Sequence, residues 1–264
     1  MSLENKVVLV TGSASGIGAA CLLEAARRGA RVVVNYSRSA DEAEATAELA
    51  RQAGAEVLVE QADISQDAQV RKMVARVEEA WGGVDVLVNN AGYTSFVDFD
   101  DLEGLTDEVW QRTLGVNLMG TWYASRAVTA SMRARGAGAI VNVSSVGAVT
   151  ASGSSLAYVV SKSGVLTMTK ALARTLGPEI RVNAVAAGFV QTRWWSKQGY
   201  GDEGKVDELA RSVGEKTVLQ QVATPEDVAD AVLWLAEGAR MVTGETILVD
   251  SGLHLGAPAV SGRR

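Results

Sequence analysis

The sequence is poor in the side chains that most often carry chemistry without a cofactor. Among its 264 residues are one cysteine, one histidine and three prolines. A single cysteine, Cys21, excludes an internal disulfide, which favours a reducing, cytoplasmic location. One histidine, His254, is too few for a His/Cys metal cluster, and no G-x-S-x-G turn accompanies it for a Ser-His-Asp hydrolase. We therefore expect no metal site, and catalysis by tyrosine, serine, lysine, carboxylates or a cofactor.

Positive charge and long apolar runs are also scarce. The formal net charge is −6, which speaks against a nucleic-acid partner, and the terminal Arg263 and Arg264 are typical of a solvated end. No run approaches the ~20 apolar residues of a membrane helix. The first residues, MSLENK, lead into a strand-like run without a signal-peptide pattern. We expect a cytoplasmic protein that binds neither membranes nor nucleic acid.

Short apolar runs alternate with longer segments of helical spacing. The predicted strands are Lys6–Thr11, Arg31–Tyr36, Glu56–Glu60, Val84–Asn89, Gly138–Val143, Arg181–Ala186 and Thr246–Val249. The predicted helices are Gly16–Gly29, Ala40–Ala53, Gln66–Trp81, Asp107–Arg135, Leu156–Leu176 and Pro225–Ala236. Continuous apolar strands separated by helices predict an α/β fold, a Rossmann-type doubly wound parallel sheet of about seven strands with helices on both faces.

The chain has no linker or repeat, so we expect one domain over residues 1–264. The alternation of strands and helices is interrupted at about 189–219, a stretch that is too long for a turn and typical of a substrate lid. Two helix starts have capping patterns: Ser39 with Glu42 predicts a capping box, and Thr224 before Pro225 predicts an N-cap with proline at the first helical position.

A glycine-rich loop, TGSASGIG, joins the first predicted strand to the first helix at Thr11 to Gly18. Gly12 permits a tight turn, Gly16 lets backbone approach a pyrophosphate, and Gly18 allows close packing of helix on strand. The helix N-terminus supplies N–H groups for phosphates. Alone, the loop is equally compatible with a turn that binds nothing, but its place in a βαβ unit favours dinucleotide binding.

The end of the second strand favours NADP over NAD. An NAD site places an acid there for the ribose 2′-hydroxyl, whereas this chain has Asn35, Tyr36, Ser37, Arg38 and Ser39. Hydroxyls and a guanidinium suit a 2′-phosphate that a carboxylate would repel. The alternative is that Arg38 is an ordinary solvated loop residue.

Tyr158 and Lys162 lie four residues apart in a helical segment and therefore on one face. A phenol with a pKa near ~10 is a poor proton donor and acceptor at neutral pH, and a pKa of ~7 requires about 4 kcal/mol. One cation ~4 Å away at an effective dielectric of ~20 supplies about that much. The spacing alone is also common in surface pairs, and the serines 144 and 145 alone are compatible with a helix cap or turn.

Five motifs in order carry a resemblance that covers the whole chain. They are TGSASGIG, Asn89-Asn90-Ala91-Gly92, Asn117 in GVN, Ser145, and Tyr158-Val-Val-Ser-Lys162. Together they resemble the short-chain dehydrogenase/reductase family, and most closely its NADPH-dependent 3-oxoacyl-acyl-carrier-protein reductases and related ketoreductases.

The resemblance implies roles for individual residues. Tyr158 would be the catalytic acid/base, Lys162 would also bond the nicotinamide ribose, Ser145 rather than Ser144 would hold the substrate oxygen, and Asn117 would maintain a proton-relay water. It also implies a homotetramer formed through the two long helices. The residues expected to contact the cofactor, besides Tyr158 and Lys162, are Gly12, Ser13, Ser15, Gly16, Ile17, Gly18, Tyr36, Ser37, Arg38, Ser39, Ala62, Asp63, Ile64, Asn90, Ala91, Gly92, Ala187, Gly188, Val190 and Thr192.

Some positions depart from the family or stay open. Ala187-Gly188 stands where the family usually has Pro-Gly, which removes a backbone restraint. Asp63 is either an adenine contact or a turn acid. Trp194 and Trp195 either close over an apolar or aromatic substrate, or anchor the lid or an oligomer interface.

Three functions follow. The first is reduction of a ketone or 3-oxoacyl carbonyl by NADPH. The second is oxidation of a secondary alcohol by NAD. The third, from another class, is a sensor or scaffold that binds nucleotide without turnover; such a protein tends to lose part of the catalytic set, and all four members are present here.

Overall fold

Seven parallel strands form one sheet in this computed structural model, which describes residues 2–256. The strands are β1 (Val7–Val10), β2 (Arg31–Tyr36), β3 (Val57–Gln61), β4 (Val86–Asn89), β5 (Gly138–Ser145), β6 (Ile180–Ala187) and β7 (Thr246–Val249). All seven lie at the predicted places, with ends that move by up to two residues. Arg263 and Arg264 lie outside the described residues.

The strand order is β3-β2-β1-β4-β5-β6-β7, and every neighbouring pair is parallel. After β1 the chain builds outward through β2 and β3, then returns to place β4 on the other side of β1. The direction of winding reverses there, so the loops after β1 and β4 diverge and leave a crevice at the carboxyl edge. The predicted doubly wound α/β fold is confirmed.

Helices cover both faces of the sheet because the strands are buried on both faces. The helices are α1 (Gly16–Arg27), α2 (Ala40–Gln52), α3 (Asp67–Trp81), α4 (Asp107–Leu114), α5 (Gly120–Ala134), α6 (Gly147–Thr150), α7 (Leu156–Leu176), α8 (Trp194–Lys197), α9 (Glu203–Gly214) and α10 (Pro225–Leu233). In β1, Val8 and Val10 pack with α1, α2 and α10, whereas Val7 and Leu9 pack with α3, α5 and α7. This alternation produces one apolar core on each side.

The long predicted helix 107–135 is interrupted by a π-helical turn. Gly115–Met119 separates α4 from α5, and a second π turn, Trp234–Gly238, follows α10. A π turn adds a residue to the turn without changing the apolar pattern much, so helical periodicity does not reveal it. The first π turn contains Asn117, and α4, the turn and α5 run on without a loop.

Of the two predicted caps, one is right. Thr224 forms a capping box at the start of α10, with Asp227 as its partner. Ser39 makes no side-chain cap bond at α2, so the predicted capping box with Glu42 is wrong. Glu42 instead pairs with Arg193 and Lys197, which come from the segment 189–219.

The segment 189–219 contains two helices, α8 and α9. Asp202 caps α9 by accepting a hydrogen bond from the Lys205 backbone N–H at 3.0 Å. Val206 and Ala210 of α9 bury with Phe189 in a third, small apolar cluster. Within residues 2–256, every helix is too short or too polar to span a bilayer.

Candidate active site

A cleft of about 1200 Å³ runs along the carboxyl edge of the sheet. Most of the residues expected at the site line it: Gly12, Ser15, Gly16, Ile17, Ser37, Arg38, Ser39, Ala62, Asp63, Ile64, Asn90, Ala91, Gly92, Ser145, Tyr158, Lys162, Ala187, Gly188, Val190 and Thr192. Four do not line it: Ser13, Gly18, Tyr36 and Asn117. The cleft exceeds the size of a pocket for one drug-sized ligand, so it has room for a dinucleotide and a substrate.

The glycine loop is held by close packing against the loop after β4. Gly12 has φ +64°, and a Cβ there would lie 2.8 Å from the Ala91 Cα. A Cβ on Gly18 would lie 2.4 Å from the Asn90 side-chain nitrogen. That Asn90 nitrogen donates to the carbonyl oxygens of Thr11 and Gly12 at 3.0 and 3.1 Å. Side chains at either glycine would therefore push the two loops apart.

Ser13 and Tyr36 do not line the cleft but support the elements that form it. The buried Ser13 hydroxyl donates to the Val10 carbonyl at 2.8 Å and accepts from the Asn35 backbone N–H at 3.0 Å. Tyr36 packs against the core. Asn35, which the sequence argument did not count as a site residue, lines the cleft and accepts from the Gly12 N–H at 3.0 Å. The sequence signal that could have identified Asn35 is an amide side chain at the end of β2, beside the glycine loop.

The end of the cleft near β1, β2 and β3 suits an anionic dinucleotide. Helix α1 begins at Gly16, and neither a capping side chain nor an acid occupies its first turn. Its N-terminal N–H groups and positive dipole end are thus available to phosphate. Ser37, Arg38 and Ser39 line the same cleft with no carboxylate among them. The Asp63 carboxylate accepts from the Ser65 backbone N–H at 3.0 Å and hydroxyl at 2.7 Å, so it is a turn acid that also lines the cleft.

Tyr158 and Ser145 meet at the opposite end. Ser145 ends β5, and its hydroxyl hydrogen-bonds Tyr158, which lowers the pKa of the phenol, whereas burial has the larger effect and raises it. The neighbouring Ser144 hydroxyl donates to the Lys162 carbonyl at 2.9 Å, so it is engaged with backbone. Ser155 caps α7 by accepting from the Tyr158 backbone N–H at 3.3 Å. That cap, three residues before the tyrosine, was missed from the sequence although its pattern was visible there.

Lys162 is a buried ammonium on the same face of α7 as Tyr158. Its Nζ donates to the Val143 carbonyl at 2.9 Å and lies 5.9 Å from the centroid of the Tyr158 ring. Burial lowers the pKa of Lys162 from 10.5 to about 8. Burial raises the pKa of Tyr158, which opposes the lowering towards 7 expected from a nearby cation. Desolvation of both groups is the larger effect here.

Asn117 does not line the cleft, but its side chain joins the loop after β4 to helix α7 by hydrogen bonds. Its side-chain nitrogen donates to the Tyr93 carbonyl and the Ser161 hydroxyl, both at 2.9 Å, and its oxygen accepts from the Tyr93 N–H at 2.8 Å. A Cβ placed on Gly92 would lie 3.7 Å from both the Asn117 oxygen and the Lys162 Nζ. The π turn thus brings Asn117 beside Lys162 and couples α7 to the loop after β4.

The two tryptophans of α8 have different surroundings. The Trp195 ring stacks on Phe189 at 4.6 Å between centroids, and its Nε1 donates to the Val190 carbonyl at 2.9 Å. The Trp194 ring lies 6.2 Å from that of Tyr158. Trp195 therefore packs against the start of the segment 189–219, just after β6, whereas the Trp194 ring faces Tyr158; both tryptophans line the cleft.

An aromatic wall continues on the other side of the cleft. Phe96 lies 6.1 Å from Trp195 and 5.5 Å from Tyr200 between ring centroids. Tyr93 and Phe99 also line the cleft. This wall comes from the loop after β4 and from the segment 189–219, which are far apart in sequence.

Ala187 and Gly188 line the cleft after β6, where the family usually has Pro-Gly. A Cβ on Gly188 would lie 2.7 Å from the Asp250 Cα, so the glycine is needed for close packing against the end of β7. The Ala187 carbonyl accepts from the Val146 N–H at 2.8 Å. That hydrogen bond ties the turn to the chain just after Ser145.

Cys21 and His254 lie outside the cleft lining. Burial raises the pKa of the Cys21 thiol to about 12, so the residue behaves as a small apolar side chain of α1. The His254 ring pairs with Asp250, with 2.8 Å between Nδ1 and the carboxylate. That pairing fastens the chain just after β7.

The sheet, its glycine loop and Tyr158 beside the buried Lys162 define a nucleotide-dependent oxidoreductase of the Rossmann type. A family model described as enoyl-(acyl carrier protein) reductase matches residues 12–254. The chain belongs to the short-chain dehydrogenase/reductase family, as its motifs suggested.

Two relatives and one solved structure match nearly the whole chain. The "Granaticin polyketide synthase putative ketoacyl reductase 2" of Streptomyces violaceoruber is 42% identical over 252 residues, 96% of this chain and 97% of its own. The 3-oxoacyl-[acyl-carrier-protein] reductase FabG of Staphylococcus epidermidis is 35% identical, covering 95% of this chain and 100% of its own. The ligand-free aldohexose dehydrogenase structure from Thermoplasma acidophilum has a TM-score of 0.86 at 31% identity, covering 99% of this chain and 98% of that one.

Proposed function

We propose that the protein reduces a ketone or 3-oxoacyl carbonyl to a secondary alcohol with NADPH. One observation carries this proposal: Tyr158, a partly buried side chain beside the Ser145 hydroxyl, lies one helical turn from the buried ammonium of Lys162. This group of side chains stands at the end of a cleft whose other end suits a dinucleotide. The similarity to ketoacyl reductases supports the reaction class.

The proton chemistry can be assigned to residues of the chain. When bound, NADPH would supply a hydride to the carbonyl carbon, and the residues of the chain would then stabilise the negative charge on the carbonyl oxygen. The Ser145 hydroxyl holds that oxygen by a hydrogen bond, and the Tyr158 phenol donates the proton to it. Since burial raises the pKa of Tyr158, the phenol is protonated at neutral pH, as the donor in a reduction must be.

Lys162 and Asn117 support this proton transfer. The Lys162 ammonium stabilises the phenolate that remains after transfer, and its proximity to Gly92 places it at the cofactor side of the cleft. Asn117 positions the loop after β4 against α7 through its hydrogen bonds to Tyr93 and Ser161. A proton-relay water held beside Asn117 and Lys162 stays a prediction.

The cofactor preference rests on the end of β2. Ser37, Arg38 and Ser39 line the cleft and offer hydroxyls and a guanidinium to a 2′-phosphate. The segment 189–219 is proposed as a lid, because its Trp194 ring lies 6.2 Å from that of Tyr158 and its Trp195 stacks on Phe189, just after β6. A substrate with an apolar or aromatic group fits between Trp194 and the wall around Phe96.

The substitution Tyr158→Phe tests the catalytic assignment. It removes the proton donor while keeping the ring, so we expect kcat to fall by about 10²–10⁴-fold. Binding of NADPH, measured by fluorescence titration, is expected to stay within about threefold of the wild type, because the phenol is not what holds the phosphates. A variant that retains a tenth or more of the wild-type rate would contradict the mechanism.

A second candidate is a secondary alcohol dehydrogenase that uses NAD, favoured by the likeness to an aldohexose dehydrogenase structure. That reaction needs a phenolate as base, which the raised pKa of Tyr158 disfavours at neutral pH. Rates for a panel of ketones, 3-oxoacyl thioesters and alcohols with both cofactors separate the two. Faster alcohol oxidation with NAD than ketone reduction with NADPH would favour the second.

The proposed assembly is a cytoplasmic homotetramer built on the two long helical stretches, α4–α5 and α7. Apolar side chains are exposed on both: Met119 is 37% and Val160 is 43% exposed. An interface through these helices would cover them.

A further inference from the structure

The carboxylate of Glu42 links helix α2 to the segment 189–219. Lys197 hydrogen-bonds this carboxylate, and an Arg193 guanidinium nitrogen lies 3.8 Å from it. Glu42 lies in the first turn of α2, four residues after Arg38 and close in sequence to the residues expected to hold the 2′-phosphate of NADP. A carboxylate at this place works against binding of a dianionic phosphate unless a cation offsets it.

Lys197 is placed to act on both anions. Its side chain lines the main cleft and a smaller adjoining pocket of about 460 Å³, and Arg38 lines both as well. Arg193 pairs with the same carboxylate but lines neither cavity. Of the two cations on Glu42, only Lys197 therefore shares a cavity wall with Arg38.

We propose that Lys197 determines cofactor choice: it neutralises Glu42 and donates a charge-assisted hydrogen bond to the 2′-phosphate of NADP. This inference rests on the proposed NADP preference and adds a residue from the lid to it. An ammonium shared between a carboxylate and a phosphate favours the phosphorylated cofactor over NAD, which offers only a hydroxyl there. Glu42 then limits the affinity for NADP by competing for the same ammonium.

Helix α8 also links the end of the cleft expected to bind the 2′-phosphate with the end that holds Tyr158. Helix α8 carries Trp194 at its start, 6.2 Å from the Tyr158 ring, and Lys197 at its end. A phosphate that holds Lys197 holds the same turn of helix that covers the catalytic tyrosine. The phosphorylated cofactor thus fixes the lid more firmly than NAD does.

Calorimetric titration with 2′,5′-ADP and 5′-AMP tests the contact without turnover. These nucleotides differ by the 2′-phosphate and lack the nicotinamide, so their affinity ratio isolates recognition of that phosphate. For Lys197→Met we expect 2′,5′-ADP affinity to fall about tenfold or more, and 5′-AMP affinity to change less than about twofold. For Glu42→Gln we expect 2′,5′-ADP affinity to rise by about threefold or more, because the ammonium is released.

Arg193→Met is the matched control. It removes a positive charge from the same segment and the same carboxylate, but from a residue that does not line the cleft, so we expect 2′,5′-ADP affinity within about threefold of wild type. An Arg193→Met loss equal to that of Lys197→Met would overturn direct contact with the phosphate. Unchanged 2′,5′-ADP binding in Lys197→Met would overturn the inference as a whole.

The wild-type protein separates this inference from the function on which it rests. If it binds 2′,5′-ADP no more tightly than 5′-AMP, the proposed NADP preference itself fails. If it prefers 2′,5′-ADP and Lys197→Met keeps that preference, the NADP preference stands and only the role of Lys197 is contradicted. Thermal melting of each variant, followed by circular dichroism, verifies that it is folded at the titration temperature.

Discussion

Lys162 is a buried ammonium, and its burial lowers the stability of the fold. Lys162 is 5% exposed, and its ammonium donates a hydrogen bond to the Val143 backbone carbonyl. No carboxylate forms a salt bridge with it among residues 2–256. A buried ammonium without a counter-ion is destabilising, because desolvation opposes its charge. In the proposed mechanism, this ammonium is the cation beside the developing phenolate of Tyr158.

The lowered pKa of the buried Lys162 predicts that the free energy of unfolding depends on pH. Between pH 8 and 10.5 the folded protein loses the Lys162 proton while the unfolded chain keeps it, so the free energy of unfolding rises with pH. A shift from 10.5 to about 8 corresponds to about 3 kcal/mol. We expect urea denaturation to show this gain in the wild type and not in Lys162→Met. Parallel curves of unfolding free energy against pH for the two proteins would refute the assignment.

Cys21 gives a second prediction at the residue scale. Because its pKa is raised to about 12 by burial, almost no thiolate forms at neutral pH, and thiolate is the reactive species. We expect the native protein to resist iodoacetamide at pH 8, with labelling detected by intact mass only after denaturation. Rapid labelling of the folded protein would show that α1 opens readily.

At the scale of elements, the start of α7 sets the position of Tyr158, the proposed proton donor. Ser155 is fully buried and caps the helix through the backbone N–H of Tyr158. Thr224 caps α10 in the same way, through the N–H of Asp227, but at a helix that contributes no residue to the cleft lining. A comparison of the two caps therefore distinguishes a contribution to helix stability, which either cap can make, from a contribution to the position of the Tyr158 phenol, which only Ser155 can make.

Replacing each cap by alanine tests that distinction. Ser155→Ala and Thr224→Ala are each expected to lower the free energy of unfolding by about 1–2 kcal/mol. Only Ser155→Ala is expected to lower kcat as well, with KM for the cofactor little changed, since it loosens the turn that carries Tyr158. Equal kcat values in the two variants would mean that the cap has no role in catalysis.

Elements with strong local signals were predictable from the sequence, whereas contacts between distant segments were not. β1 and α7 follow from an apolar run and from long helical spacing, and the glycine loop follows from residue chemistry. Helix α9 had a usable signal, apolar residues at 206, 209, 210 and 213 after Asp202, which was absorbed into the expected lid. The pairing of Glu42 with Lys197 joins residues 155 positions apart, so no local pattern could reveal it.

At the scale of the whole molecule, the proposed tetramer makes the catalytic helix part of an interface. Val160 lies on α7 between Tyr158 and Lys162 in sequence and is 43% exposed, so it points away from the cleft. Contacts made there would reach the active site through one turn of helix. Assembly and activity are therefore expected to change together.

The substitution Val160→Asp tests this coupling, because a charge buried in an apolar interface is costly. We expect sedimentation velocity to show a smaller particle and the specific activity to fall. Met241→Asp is the control, since Met241 is 97% exposed and lies outside the long helices. A Val160→Asp protein that sediments and reacts like wild type would exclude α7 from the interface.

The tryptophan over Tyr158 gives the protein an optical reporter of its own. Indole emission overlaps the absorption of reduced nicotinamide, so energy transfer from Trp194 would report the distance between α8 and a bound reduced cofactor. Trp195, held by its stacking on Phe189 and its hydrogen bond to the Val190 carbonyl, would give a steadier signal. The difference in emission between wild type and Trp194→Phe would therefore follow the motion of one helical turn in solution, without an added label.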